Sequence, residues 1–416
     1  MRAALRHLKH VADVRFSNVD KKSVDGQIAV ELCNYTDVYY NDRITSGMSF
    51  MEATASTEQV AAFTLRSGDV LLTKDSETAD DIGVSAYVAE DLPGVLCGYH
   101  LALARPHPTA LDGRYLRWAL VSTASRQQLE LAASGVTRFG LRQDAVGGMD
   151  IPLPPLGLQR AIADYLDAET SRIDSVVEAR NRQVQLLLGR LGAAIVGLLY
   201  GDARVSLVPL RRVVDLLPGY SYEGGAFLDA PGAFRLLRGI NVDVWRLRWD
   251  DTEWVSDSTA AATHQFRLDA GDVVLGMDRP VISSGLRIAR VTASDLPALL
   301  VQRVARMRAR PGLRQDYLWQ VLRTPALAAH FEPIFTGVSV PHVSPSQILE
   351  FEIPLPGQEQ QAELVREIER ADQWTTSLVQ SLRQQVELLL ERRQALITAA
   401  VTGQIDIPGV AACGGD

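Results

Sequence analysis

Hydrophobic positions follow two kinds of pattern along this chain. After an Ile-Pro-Leu-Pro at 151 and again at 353, the prolines stop and apolar residues recur at alternating spacings of three and four. The first such stretch carries Ile162, Leu166, Ile173, Val184, Leu187, Leu191, Ile195 and Leu198 in that register. The second carries Leu364, Ile368, Ala371, Thr375, Leu378, Leu382, Gln385 and Leu389, with Leu396 resuming it after a polar step. A stripe held over about five heptads predicts a coiled-coil helix, and ~45 residues at 1.5 Å each give roughly 65 Å. A lone helix would expose that stripe to water, so the two are expected to pack on each other, most economically as an antiparallel pair. The rest of the chain reads differently. Short apolar runs such as GDVLLT from Gly68 and VLCGYHLALA from Val95 are broken by Gly, Pro, Asp and Asn, which predicts mixed α+β globular segments at 1–150 and 202–352.

The two patterns occur twice in the same order. Residues 151–201 and 353–403 align without a gap at a shift of 202 and share 16 of 51 positions. The same shift pairs Leu8, Val11 and Asp13 with Leu210, Val213 and Asp215, and Tyr115-Leu116 with Tyr317-Leu318. Small indels move the shift to 203 at GDVLL (68–72) against GDVVL (271–275), and to 204 at the two Asp-Leu-Pro runs. A unit of about 200 residues is far longer than solenoid repeats of ~20–50 residues, so the chain is a tandem duplication of a domain plus a helix. The expected layout is a first domain at 1–150, a first helix segment at 151–201, a second domain at 202–352, a second helix segment at 353–405 and a tail at 406–416. The duplication implies pseudo-twofold symmetry.

Composition narrows the chemistry. The chain has 416 residues, three cysteines (Cys33, Cys97, Cys413) and a formal net charge of −8. An odd, sparse set of cysteines suits a reducing compartment. No run approaches the ~18 apolar residues of a membrane span, and the opening MRAALRHLKHV lacks a signal-peptide core. A cytoplasmic protein with no membrane partner is expected. None of the four lysines follows a glycine, which excludes the P-loop Gly-Lys, and there is no G-x-G-x-x-G. Cys97, His100 and His107 are metal candidates by residue type, but the second copy places Val301 and Val304 in that region and a structural zinc needs four ligands. No metal site and no bound cofactor are expected. The pattern is that of a binder.

Two variable globular domains, each followed by a Pro-Leu-Pro and a long helix, resemble the DNA specificity subunit of a type I restriction-modification system. The stretches LLRGINV (236–242), GDVVLGMDRPVISSGLRIA (271–289), LLVQRVARMR (299–308) and NYTDVYYNDRIT (34–45) are similar to segments of that family's target recognition domains. The first helix opening, LPPLGLQRAIADYLD, keeps only Gln159 of the Glu-Glu-Gln usual there, and the second opens with GQEQQ. The resemblance implies that each domain reads one half of a split double-stranded DNA site. The helices would set the spacing and dock two methyltransferase subunits, with restriction (translocase) subunits joining through the complex. S-adenosylmethionine, ATP and Mg would be used by those partners, and the chain itself would be non-catalytic. A pseudo-symmetric scaffold for two protein partners, without DNA, stands as the rival reading.

A net charge of −8 is a poor match for DNA. The excess is local, however: residues 1–150 hold 15 basic and 19 acidic side chains and 351–416 hold 5 and 10, whereas 202–350 hold 17 and 16. Positive charge borrowed from partners would offset it. Bidentate Arg on guanine and Asn on adenine are the usual direct contacts, with Ser and Thr able to pair with either. Candidates are therefore polar residues in loops beside glycine. The stretches SGVTRFGLRQ (134–143) and TGVSVPHVS (336–344) precede the Pro-Leu-Pro in equivalent positions and offer Thr137, Arg138, Ser339 and His342. Lys74 in one half, and Arg279, Ser283 and Ser284 in the other, follow the equivalent GDV strands. Asn34 and Tyr35, with Arg238 and Asn241, supply a third loop. Arg306 and Arg308 lie in a basic run (Arg303, Arg306, Arg308, Arg310, Arg314) that reads as a phosphate track or as a solvated strand face.

Overall fold

A computed structural model describes residues 3–228, 232–335 and 341–408. The chain divides into two compact units, Met1–Asn181 with Arg383–Asp416, and Arg182–Leu382. Each unit holds one globular domain, the first part of the helix that follows it, and the last part of the other long helix.

In the first unit a five-stranded sheet runs in the order Ala12–Phe16, Leu101–Pro106, Val70–Thr73, Ser85–Val88, Arg43–Ile44. A four-stranded sheet runs Met51–Ala55, Ile28–Cys33, Leu92–Cys97, Thr64–Leu65. The expected GDVLL strand is central, paired on both sides and buried along its whole length, which is why it reads as a continuous apolar run. Gly68 before it sits at φ +93°, and its counterpart Gly271 at φ +98°, a backbone state that favours glycine. Helices Gly113–Val121 and Thr123–Ala132 cover the sheet, with Tyr115, Leu116, Ala119 and Leu129 in its core.

The second unit repeats this plan with fewer strands. One sheet runs Val214–Pro218, Val304–Ala309, Val273–Gly276, Ile288–Arg290, and another runs Glu253–Val255, Phe234–Leu237, Ala298–Leu300. In both units two strands pair parallel in the same way, Ile28–Cys33 with Leu92–Cys97 and Phe234–Leu237 with Ala298–Leu300. Helices Gln315–Leu322 and Pro325–Phe331 close the second core.

The expected helix segments begin later than their Ile-Pro-Leu-Pro. Asp150–Leu153 is a strand that pairs with Ala4–His7, and Glu352–Pro354 pairs with Leu207–Pro209, so each motif closes its domain start against its end. The helices themselves run Leu156–Tyr200 and Gln358–Val401. A buried glutamine anchors each one. Gln159 Oε1 accepts from the Asp112 N–H at 2.9 Å and its amide donates to the carbonyls of Ala110 and Pro154. Gln361 does the same with the Arg314 N–H and the carbonyls of Gly312 and Pro356. The single Gln kept at both helix starts is therefore a splice between domain and helix.

Within each unit the two helices run antiparallel. In the first, Ile397, Ala400 and Val401 join the core of Ile162, Ala163 and Leu166, while Arg393 Nε lies 2.9 Å from Asp174. In the second, Val184 and Leu187 pack on Leu378, Val379 and Leu382, and Ile195 and Leu199 share a core with Val365 and Ile368. The expected seam is partly displaced: Val365, Val379 and Ile397 are buried, Gln385 is exposed, and Leu364, Leu378 and Leu396 are half-buried. The heptad register describes only helix against helix, whereas these helices also turn a face toward a globular core. One 18-residue window of Leu156–Tyr200 has a mean hydropathy of 1.4, enough by length and composition to cross a membrane. Packing buries Val184, Ile195 and Leu199 in this helix, while Leu186 and Leu188 stay exposed.

Candidate nucleic-acid interface

Both units build a rim at the carboxyl end of the GDV strand, with the same backbone bonds. The Lys74 N–H donates to the His100 carbonyl (3.1 Å) and its own carbonyl accepts from the Leu141 N–H (2.8 Å). In the second unit the Met277 N–H donates to Arg303 O (2.8 Å) and Met277 O accepts from the Val343 N–H (2.9 Å). The loop that precedes each domain's closing strand is thereby clamped to the strand end. An aspartate follows in each copy: Asp75 lies 2.8 Å from His100 Nδ1, and Asp278 lies 2.6 Å from His342 Nδ1 and 3.6 Å from Arg303.

In the first unit this rim borders a cleft of about 920 Å³. Tyr35, Tyr39, Tyr40, Thr137, Arg138, Lys21 and His100 line it, so three of the sequence candidates, Tyr35, Thr137 and Arg138, come together. Thr137 and Arg138 are exposed. Tyr35 stacks on Tyr39 at 5.4 Å between ring centres, and Tyr39 donates to Asp81 at 2.8 Å. Burial, then the Asp81 charge, pushes the Tyr35 hydroxyl above its ordinary pKa, and the hydrogen bond to Asp81 does the same for Tyr39. Both stay neutral donors. Lys74 lies over the Tyr99 ring at 4.3 Å and is half-buried; burial lowers its pKa against the opposing pull of Asp75. Asn34 caps the short helix Tyr35–Tyr39, its N–H donating to Asp37 at 2.7 Å.

In the second unit Arg279, Ser283 and Ser284 are exposed, the serines at the tip of the hairpin Val281–Ile282/Gly285–Leu286. His342 is exposed and held by Asp278. Ser339 lies outside the described residues. The remaining candidates have partners inside the fold. Asn241 is 2% exposed, its amide donating to the carbonyls of Arg248 and Asp251 and its oxygen accepting from the Arg238 N–H. Arg238 pairs with Asp251 at 2.7 Å. Arg306 is 6% exposed and faces the carbonyls of Gln265 and Arg267; burial depresses its pKa. Arg308 chelates Asp272 at 2.5 and 2.8 Å and reaches Asp269 at 2.6 Å. Arg105 repeats that bond on Asp69, at 2.7 Å through both nitrogens. The basic run is thus largely a bracing strand face, with Arg310 on the Arg211 carbonyl and Arg314 on Asp316. The shift of 203 that relates Arg105 to Arg308 carried this signal in the sequence.

Sequence reasoning passed over the aromatic residues of the rim: Tyr39, Tyr40 and Tyr99 in the first unit, and Trp245, 56% exposed, in the second. Cys97 is buried beside Cys33 on the parallel strand pair, and burial raises both thiol pKa values, which makes them inert. Among the described residues no cluster of His, Cys, Asp or Glu fits a metal. A second cavity of the first unit, about 390 Å³, is lined by Asp42, Arg117, Trp118, Asp167 and Asp174. Its charges are matched internally: Arg117 pairs with Asp42, and Arg393 with Asp174.

The duplicated domain and helix plan recurs in known proteins. The chain is 22% identical over 356 residues to the type I restriction enzyme MjaVIII specificity subunit of Methanocaldococcus jannaschii, covering 82% of this chain and 79% of that one. It is 26% identical over 193 residues to the EcoAI specificity subunit of Escherichia coli, 46% of this chain and 32% of that one. Over most of its length the chain is similar to type I specificity subunits. No family model matches it. Among solved structures, a chain described under the assembly and conformational transition of the type I R-M system superposes with a TM-score of 0.75 at 17% identity, over 97% of this chain and 98% of that one. The HsdS subunit of Thermoanaerobacter tengcongensis gives 0.55 at 18%, over 97% of both. At such identities these two establish the specificity-subunit fold.

Proposed function

We propose that this chain is the DNA-recognition subunit of a type I restriction-modification complex and is itself non-catalytic. Each globular domain reads one half of a bipartite, asymmetric double-stranded site through its rim. The helices fix the spacing between halves and dock two methyltransferase subunits, and restriction (translocase) subunits join through that complex. S-adenosylmethionine, ATP and Mg belong to those partners, and the assembly works in the cytoplasm with no membrane.

The observation that carries this reading is the repeated clamp. Two copies of one framework hold their loops by the same backbone bonds, yet present different side chains at the rim. A duplicated frame with divergent loops suits two readers of different half-words served by identical partners, because base contacts specify while phosphate contacts only position. In the first domain the open groups are Tyr35, Thr137 and Arg138. In the second they are Arg279, Ser283, Ser284 and His342. Copurifying the chain with its methyltransferase and mapping methylated positions across a genome tests the proposal. A single bipartite motif is expected, and a complex that methylates no defined motif overturns it.

A further inference from the structure

The second domain's rim has an apolar corner that the hydrogen-bonding candidates do not use. Ile240 is 61% exposed, Trp245 56%, Val281 38% and Ile282 36%. Single exposed apolar residues are ordinary, but several held together on one rigid surface call for a partner.

The corner is rigid because Arg287 staples it. Its guanidinium donates to the carbonyls of Gly239, Val242 (3.0 Å) and Asp278 (3.1 Å), tying the loop after Phe234–Leu237 to the end of the GDV strand. The Trp245 N–H donates to Ile288 O at 2.7 Å, and Val244 lies 3.4 Å from where a Cβ on Gly285 would stand. Trp245 itself sits at φ +63°, a left-handed state that bulky side chains rarely adopt. Glycine would be easier there, yet the chain holds an indole with more than half its surface in water.

The surroundings select the occupant. Arg246 and Arg248 beside the tryptophan have side chains 70% and 54% exposed and pair with Asp243 at 3.1 Å and Asp250 at 2.9 Å. Arg279 is exposed and, among the described residues, has no acidic partner within 4 Å; Ser283 and Ser284 are exposed at the hairpin tip. Apolar groups beside one arginine with no acidic partner, two exposed arginines on aspartates and two hydroxyls suit a polyanion better than an apolar protein face. The only methyl group among the four bases in the major groove is that of thymine.

We propose that Trp245 and Ile240, with Ile282, form a contact surface for a thymine methyl group in the half-site read by the second domain. This rests on the DNA-recognition reading above. The first domain carries Tyr39 and Tyr40 at the end of the short helix after the corresponding parallel strand, so the same corner would read differently there.

The test uses the full chain copurified with its methyltransferase subunits, on a duplex carrying the mapped site. Trp245→Gly removes the ring and suits the left-handed backbone, so the melting temperature should hold or rise, while affinity for the specific duplex falls about tenfold. Each thymine is then replaced by uracil, which lacks only the methyl. The wild type should lose about threefold to tenfold at one thymine of the second domain's half-site, and Trp245→Gly should lose nothing further there, the coupling expected of direct contact. Ile240→Ser, at a more exposed position, should repeat that coupling and covers the case in which the glycine variant melts early. Unchanged affinity in both variants, a wild type indifferent to every uracil, or a half-site without thymine overturns the inference. A wild-type complex with no sequence-selective binding overturns the recognition reading and this inference with it.

Discussion

The first and second domains share a frame and part company at its rim. In the frame, contacts recur side chain for side chain. Gln159 and Gln361 make the same three bonds; Tyr115 donates to Pro152 O at 2.8 Å and Tyr317 to Pro354 O at 3.1 Å; Arg105 on Asp69 matches Arg308 on Asp272. At the rim the first domain stacks Tyr35 on Tyr39 and lays a half-buried lysine over Tyr99. The second puts Met277 where Lys74 stands and adds a hairpin with two serines at its tip. Buried polar groups that lose a partner cost free energy, so the frame cannot drift singly. Exposed rim side chains have no such constraint and can change what they contact while the fold stays intact.

Exchanging residues 202–350 for the matching domain of a relative should break the comparison most visibly. Methylome mapping is expected to show one half-site changed and the other retained; a change in both would mean that the domains do not read independently.

At the level of the frame, Asp69→Ala and Asp272→Ala each strip a buried carboxylate from an arginine brace. Each should lower the stability of its own domain by about 3 kcal/mol, the low end for a broken buried pair because the arginines keep partial solvent access. Urea titration followed by hydrogen exchange locates the loss, and equal effects in the two domains are expected. Gln159→Leu and Gln361→Leu come next, at about 1–3 kcal/mol each from orphaned backbone groups, read as earlier melting of the complex. A marked difference between the two would show that the splice is not equivalent in both halves.

The smallest effect on stability separates rim from frame. Arg138→Ala should change stability by no more than ~0.5 kcal/mol, yet weaken DNA binding and reduce the salt slope by about one. Arg308→Ala should do the reverse, melting earlier with its DNA contacts unaffected once folded.

The duplication, the two long helices and the central GDV strands were legible in the sequence, because repetition and hydrophobic period are properties of order along the chain. The partner of each polar side chain was not. Asn241, Arg306 and Arg308 are of types that bind nucleic acid, and the same donors serve equally well to cap a loop or brace a strand. Only the fold, by bringing Asp272 beside Arg308 across 36 residues and Arg248 O within reach of Asn241, decided which donors were already satisfied. The rim aromatics escaped for the opposite reason. An exposed Trp245 looks like any core tryptophan until the tertiary structure leaves it in water. Sequence order determines which surfaces a chain can bury; which polar groups remain open to a ligand depends on distances that only packing creates.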